Sequence, residues 1–486
     1  MNDRKGFGSN FGFLMAAVGS AVGLGNIWGF PNKMGANGGF PFLILYLALA
    51  LCCGVIIMLG ELALGRKTGH GAVGAYQSIS KRFKWLGWLG IAAAALIFSF
   101  YSALGGYCLR YVVVNFGNLI GAEFGTNGVG GADVFQGLLS QPDVSIAFAL
   151  AFMFITMLVV MSGVGGGIER VCSVGMPALF FILIICIIRS CTLPGAADGL
   201  KYMFVPGWAV ANGIIDEAPG FWRVLTAAGG QMFFSLSLGA GVMITYGSYL
   251  DKKEHLEKNA TIIVIMDTII ALMAGLCVMP ARFALDPTGE IGGPKLLFIT
   301  MQNVFDSMGG VVGPIFGIIF YLLVVLAAVS SSISLLETVV THFVDKAAEQ
   351  GKGDKRKFYS FIASIAIAVL CVLVCMDGLG SNGISPANLL GQTGDAVRGW
   401  NDCWLDLYDM VAEGILMPLG ALVMTILIGW VLKPEVVQLE CEQSGVKYRA
   451  AGYFKVCFKF IVPVLLAFIL FCQLIDFFGL KIPGLS

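Results

Sequence analysis

Asp267 stands in the run Ile262-Ile-Val-Ile-Met-Asp-Thr-Ile-Ile-Ala271, with apolar residues on both sides. A charge at the centre of a bilayer costs roughly 2.5–3.5 kcal/mol on insertion scales, so the carboxylate needs a partner. A cation or a buried hydrogen-bond network would each serve. Further along, Val329-Ser-Ser-Ser-Ile-Ser334 places four hydroxyls in an equally apolar helix. Oxygen ligands suit a hard monovalent cation. The competing use is local, with each serine bonding back to a carbonyl of its own helix. Ligands for a transition metal are missing: His70, His255 and His342 lie near the ends of apolar runs. No Ser-His-Asp set or pair of catalytic carboxylates is evident, which argues against an enzyme.

Two apolar segments break the rules of their own helix. The first reads Gly19-Ser-Ala-Val-Gly-Leu-Gly-Asn-Ile-Trp-Gly-Phe-Pro31, and the second Phe233-Phe-Ser-Leu-Ser-Leu-Gly-Ala-Gly241. Glycine and proline at such density weaken a helix. Interrupted membrane helices free carbonyls and amides that can hold a cation and an anionic ligand group. Close packing of glycines between helices is the alternative. Gly163-Val-Gly-Gly-Gly is not a dinucleotide fingerprint, because no strand precedes it.

The surrounding composition fixes what positions these residues. Of 486 residues, 57% are hydrophobic and only 12% charged, with 65 glycines and a formal net charge of zero. That excludes a soluble enzyme, a disordered chain and a nucleic-acid binder. Segments long enough to span a bilayer fall near 11–34, 40–64, 86–118, 146–164, 171–190, 222–250, 260–281, 311–344, 358–376, 410–432 and 456–478. The reading is an all-α polytopic membrane protein with eleven spans, the first retained and not cleaved as a signal peptide. With the N-terminus cytoplasmic, 21 of the 30 Lys and Arg residues fall on inside loops. The positive-inside rule thus predicts a multi-pass protein of the cell (inner) membrane, its C-terminus extracellular or periplasmic. The thirteen cysteines lie mostly within apolar runs and read as small buried hydrophobes.

Read together, the motifs resemble the neurotransmitter:sodium symporter family, in particular its bacterial amino-acid transporter branch with the leucine-transporter fold. They are GSAVGLGN with FP and NGG (Gly19–Gly39), GELALGR (Gly60–Arg66), FSFYS (Phe98–Ser102), FFSLSLG (Phe233–Gly239) and the Ser330–Ser332 run, in order over nearly the whole chain. The family is itself a standard example of helices broken at mid-membrane. The resemblance implies one transporter domain over 1–478. Inverted five-helix repeats would cover about 11–190 and 222–432, with a peripheral span at about 456–478. It implies sodium-coupled uptake of an amino acid by alternating access.

Carried over by position, the resemblance assigns two Na+ sites. One would use the Ala21 carbonyl, Asn26, Ser235, Asp267 and the substrate carboxylate. The other would use the carbonyls of Gly19, Val22 and Ala327 with the hydroxyls of Ser330 and Ser331. Tyr101 and the amides near Leu24 and Gly25 would hold the carboxylate, and Phe234 with Tyr101 would cover it. Ile97, Leu104, Ser237, Ala240, Ser332 and Leu335 would shape the side-chain pocket. Arg4 and Asp345, with Tyr249 and Ser248 nearby, match a cytoplasmic gate. Gly167 and Pro177 have a Gly-X9-Pro spacing linked to inner unwinding.

Three departures stand out. Gly29 occupies a position where members often carry Arg, so Asp409, its usual acidic partner across the outer gate, lacks that arginine; Lys33 is a candidate substitute. Asp267 replaces a common Asn, beside residues matching a chloride site in relatives (Tyr46, Gln231, Ser235), which implies chloride independence. Ala240 leaves more room beside the substrate, which points to a large apolar or aromatic amino acid. The competing functional class is a channel or a non-transporting amino-acid sensor. Neither a repeated filter loop nor a soluble signalling domain is evident in the sequence. The oligomeric state is not encoded in any motif.

Overall fold

The computed structural model describes residues 6–126, 128–285 and 293–480, and among these every regular element is a helix. Arg4, expected at the cytoplasmic gate, lies outside the described residues. Among the described residues, nine helices are long and apolar enough to cross a bilayer. Span one is the bent pair Asn10–Ala21 and Gly25–Ala36, whose axes differ by 46°. Span six, expected near 222–250, consists of Phe221–Ser235 and Val242–Gly247, each too short to cross alone.

Local chemistry accounts for many of the boundaries. Ser9 caps span one by accepting from the Gly12 N–H. Pro142 opens span four (Pro142–Met161) at the first turn, where its missing N–H costs nothing. Gly69 and Gly121 close spans two (Phe40–Thr68) and three (Lys81–Ile120) in the left-handed conformation.

Burial separates the centre of the molecule from its rim. The most apolar window of span three is 78% buried, whereas that of span five (Val164–Cys191) is 28% buried. Spans nine (Arg356–Asp377) and eleven (Ala451–Ile475) are also rim helices, and each turns large side chains such as Phe361, Val369, Val464 and Phe471 outward. In water such a surface would drive aggregation; in a bilayer it is the lipid-facing belt. Span eight (Val312–Glu349) runs along span three in the interior, and both broken spans pack beside them. The two interruptions therefore meet in the driest part of the protein.

Candidate functional site

Span one stops at Ala21, where Val22 leaves helical geometry with φ −79° and ψ 104°, and resumes at Gly25. The carbonyls of Gly19 and Val22 consequently face span eight. Ser331 Oγ lies 3.2 Å from each of them. Ser330 Oγ is 2.9 Å from the Ala327 carbonyl and 3.5 Å from that of Val22. All five oxygens of the second expected sodium set thus converge on the break.

The serine run also resolves its own ambiguity. Ser330, Ser332 and Ser334 each donate to the carbonyl three residues earlier in span eight, the local use that competes with ligation. Ser331 instead reaches across to span one. We therefore expect Ser331→Ala to weaken the sodium dependence of substrate binding by about tenfold, the loss of one good polar contact. Sodium titration of binding to the purified protein reads this directly; an unchanged midpoint would remove Ser331 from the site.

A second polar knot surrounds Asp267 of span seven (Leu256–Leu285), whose side chain is fully buried. Asn26 Nδ2 donates to Asp267 Oδ1 at 2.7 Å and to Ser235 Oγ at 3.0 Å. Ser235 Oγ donates to Asp267 Oδ2 at 2.8 Å, and the Tyr46 hydroxyl lies 3.3 Å from the same oxygen. Asn26 Oδ1 accepts from the Gly23 N–H at 3.1 Å. Buried carboxylates persist only where such donors compensate them. Spans one, two, six and seven are tied at this point.

The break in span six is built differently. Ser237 has φ +53°, a strained value for a residue with a side chain, and its Oγ donates to the Ser20 carbonyl at 3.1 Å. Gly239 and Gly241 follow at φ +82° and +73°. The Gly239 N–H, free of any helical partner, donates to Glu61 Oε1 at 2.6 Å. Glu61 is buried in span two within the GELALGR motif. Nothing in that motif alone marks its carboxylate as the cap of an unwound helix four spans away.

Between the two breaks lies a narrow cavity. Of the residues expected there, Ala21, Gly25, Ile97, Tyr101, Phe234, Ser237, Ala240, Ser331 and Leu335 line it, joined by Ser20, Gly23 and Met417. The Leu24 N–H donates to the Tyr101 hydroxyl at 2.6 Å. The Phe234 ring lies on Gly25: a β-carbon there would stand 2.7 Å from Cδ1. Leu24 contributes its amide, and Leu104 is buried on span three. Ser332 is turned to span four, 2.7 Å from Thr156 Oγ1. Gln231 Nε2 donates to the Gly25 carbonyl at 2.8 Å, fixing the two breaks together.

Two further polar clusters join the spans. On the side of the Lys- and Arg-rich loops, Tyr249 donates to Glu337 Oε1 at 2.6 Å, and Arg356 pairs with Glu337 Oε2 at 2.5 Å. Asp345 accepts from the Gly71 N–H at 3.0 Å. On the other side Lys33 pairs with Glu413, four residues beyond Asp409 in span ten (Trp404–Leu432).

Comparison with known proteins agrees with this fold. The chain is 36% identical over 466 residues to an uncharacterized sodium-dependent transporter of Bacillus subtilis, YhdH, covering 94% of each. It is 30% identical over 490 residues to an uncharacterized sodium-dependent transporter of Haemophilus influenzae, covering 97% of this chain and 98% of that one. The crystal structure of MhsT in complex with L-phenylalanine superposes with a TM-score of 0.83 at 34% identity, over 97% of this chain and 99% of that one. The model of the Sodium:neurotransmitter symporter family matches residues 4–127 and 133–483, nearly end to end. With two broken spans meeting at a narrow cavity and that match, the chain belongs to the sodium:neurotransmitter symporter family and is a sodium-dependent membrane transporter, not an enzyme.

Proposed function

We propose that this protein takes up an amino acid, large and apolar or aromatic, together with two sodium ions by alternating access, without a requirement for chloride. One observation carries the reading. The oxygens of Gly19, Val22, Ala327, Ser330 and Ser331 converge on one side of the break in span one, and Asp267, Asn26 and Ser235 on the other. The first group would hold one sodium ion. The second would hold another, together with the Ala21 carbonyl and the substrate carboxylate, once the Asn26 amide turns its oxygen inward.

The substrate would lie between them. Its carboxylate would take the Tyr101 hydroxyl and the amides at Leu24 and Gly25. Its ammonium group would face carbonyls of the broken backbone. Its side chain would fill the space bounded by Ile97, Ser237, Ala240 and Leu335, with Phe234 moving off Gly25 to admit it and returning as a cover. The small Ala240 and the phenylalanine bound by MhsT both favour a bulky side chain. The fixed negative charge at Asp267 is what makes chloride dispensable. A single domain over 1–478 would contain repeats at about 11–190 and 222–432 and a peripheral span at about 456–478. Lys and Arg placement favours insertion in the cell (inner) membrane with a cytoplasmic N-terminus and an external C-terminus.

Coupling follows from the shared atoms. An ion that ties spans one, six and seven together while accepting the substrate carboxylate must raise substrate affinity, and substrate must raise ion affinity equally. The experiment is uptake into proteoliposomes under an inward sodium gradient, with chloride replaced by gluconate and unlabelled amino acids as competitors. Competition by phenylalanine, tryptophan, tyrosine, leucine or methionine in either anion is expected. Glycine competing better than tryptophan or leucine would overturn the substrate class, and loss of uptake in gluconate would overturn chloride independence.

A further inference from the structure

We propose that Lys33, Glu413 and Gln473 together form the outer closure of the substrate cavity, in place of the arginine-to-aspartate pair that Gly29 rules out. This rests on the reading that the cavity beneath Phe234 holds the transported amino acid. Lys33 lies four residues beyond Gly29 in the outer half of span one, and its Nζ pairs with Glu413 Oε1 of span ten. The Glu413 side chain is 8% exposed and that of Lys33 29%, so the pair is sheltered without being sealed. Partial shelter strengthens an ion pair over a solvated one, and the remaining exposure leaves it separable.

Both groups converge on span six. A β-carbon placed on Gly230 would stand 3.4 Å from Glu413 Oε1, 3.5 Å from Gln473 Nε2 and 4.0 Å from Lys33 Nζ. One placed on Gly414 would stand 3.5 Å from Gln473 Oε1. Gly230 lies one turn before Phe234, the ring that covers the cavity. The three polar side chains come from spans one, ten and eleven, and they meet over a bare patch of span six. Separating span ten from spans one and six must break this cluster. Span eleven, otherwise a rim helix, enters through Gln473, whose amide reaches positions on both span six and span ten.

The test uses the purified full chain and the variants Lys33→Gln, Glu413→Gln, Gln473→Leu and the exchange Lys33→Glu with Glu413→Lys. Hydrogen exchange in sodium buffer is followed over 30–36 and 221–235, a readout that needs no substrate. The dissociation of radiolabelled L-phenylalanine and L-leucine is measured alongside. Each single charge variant is expected to speed exchange in both segments by about tenfold, with Gln473→Leu about threefold, and the charge exchange to recover most of the loss. Faster label dissociation in the same order would link closure to retention. Unchanged exchange in the single variants, or an exchanged pair no better than either single, overturns the proposal. A wild type that binds neither label in sodium would count against the transport reading while leaving the exchange result to decide the closure.

Discussion

Asp267→Asn is expected to cut sodium-driven uptake in chloride-free medium by about 100-fold, with part of the loss recovered when chloride is restored. Three groups aim donors at this carboxylate: Asn26 Nδ2, Ser235 Oγ and the Tyr46 hydroxyl. Asparagine keeps the volume but removes the charge, and its amide nitrogen confronts at least one of those donors. Removing one partner from a buried, hydrogen-bonded charge cluster costs about 3 kcal/mol, which is roughly two decades in affinity. Chloride lodging beside Tyr46, Gln231 and Ser235 would return the missing charge. Uptake measured in gluconate and in chloride, on protein shown monodisperse by size exclusion, gives the comparison. An Asp267→Asn variant that takes up substrate at the wild-type rate in gluconate would show that the carboxylate carries no ion-linked charge.

Gly23→Ala is the second large effect, expected to abolish sodium-dependent binding to within the limit of detection. An added β-carbon would stand 2.2 Å from the Tyr101 hydroxyl oxygen and 2.4 Å from Ser331 Oγ. Those hydroxyls hold the Leu24 amide and the Gly19 and Val22 carbonyls, so one methyl group displaces the carboxylate site and the ion site together. Overpacking of this kind typically costs 1–3 kcal/mol of stability, about a few degrees in melting temperature, so the protein should still fold. The double variant Gly23→Ala with Tyr101→Phe removes the nearer clashing atom and is expected to regain melting temperature without regaining binding. The two effects would then be non-additive, as contacting residues require. Full binding in Gly23→Ala would mean that the backbone at the break is not packed as described.

Much of this arrangement is legible in the chain itself, because its main signals are local. Glycine density at 19–29 and 239–241 marks the two breaks, and an isolated carboxylate in an apolar run marks Asp267. Span six is harder, since its interruption at 236–241 leaves two pieces too short to register as one helix. Ser332 follows Ser331 in the same hydroxyl run, but adjacent helical residues point about 100° apart, and Ser332 faces Thr156 of span four. The groups hardest to foresee are those whose partners come from far along the chain. Glu61 caps Gly239, Glu337 binds Tyr249 and Arg356, and Lys33 meets Glu413 across 380 positions. Charge spacing on one helix contains no trace of such pairings. They exist because broken spans expose amides and carbonyls that a membrane interior obliges some neighbour to satisfy.

The shell shared between ion and substrate couples the two, and reciprocal affinity is its most direct test. Binding of radiolabelled L-phenylalanine or L-leucine to the purified protein would be titrated at low and high sodium, with choline keeping ionic strength constant. Sodium binding would be titrated in turn with and without saturating amino acid. Substrate affinity is expected to rise at least tenfold with sodium, and sodium affinity by the same factor with substrate. Substrate affinity indifferent to sodium, or sodium affinity indifferent to substrate, would contradict it.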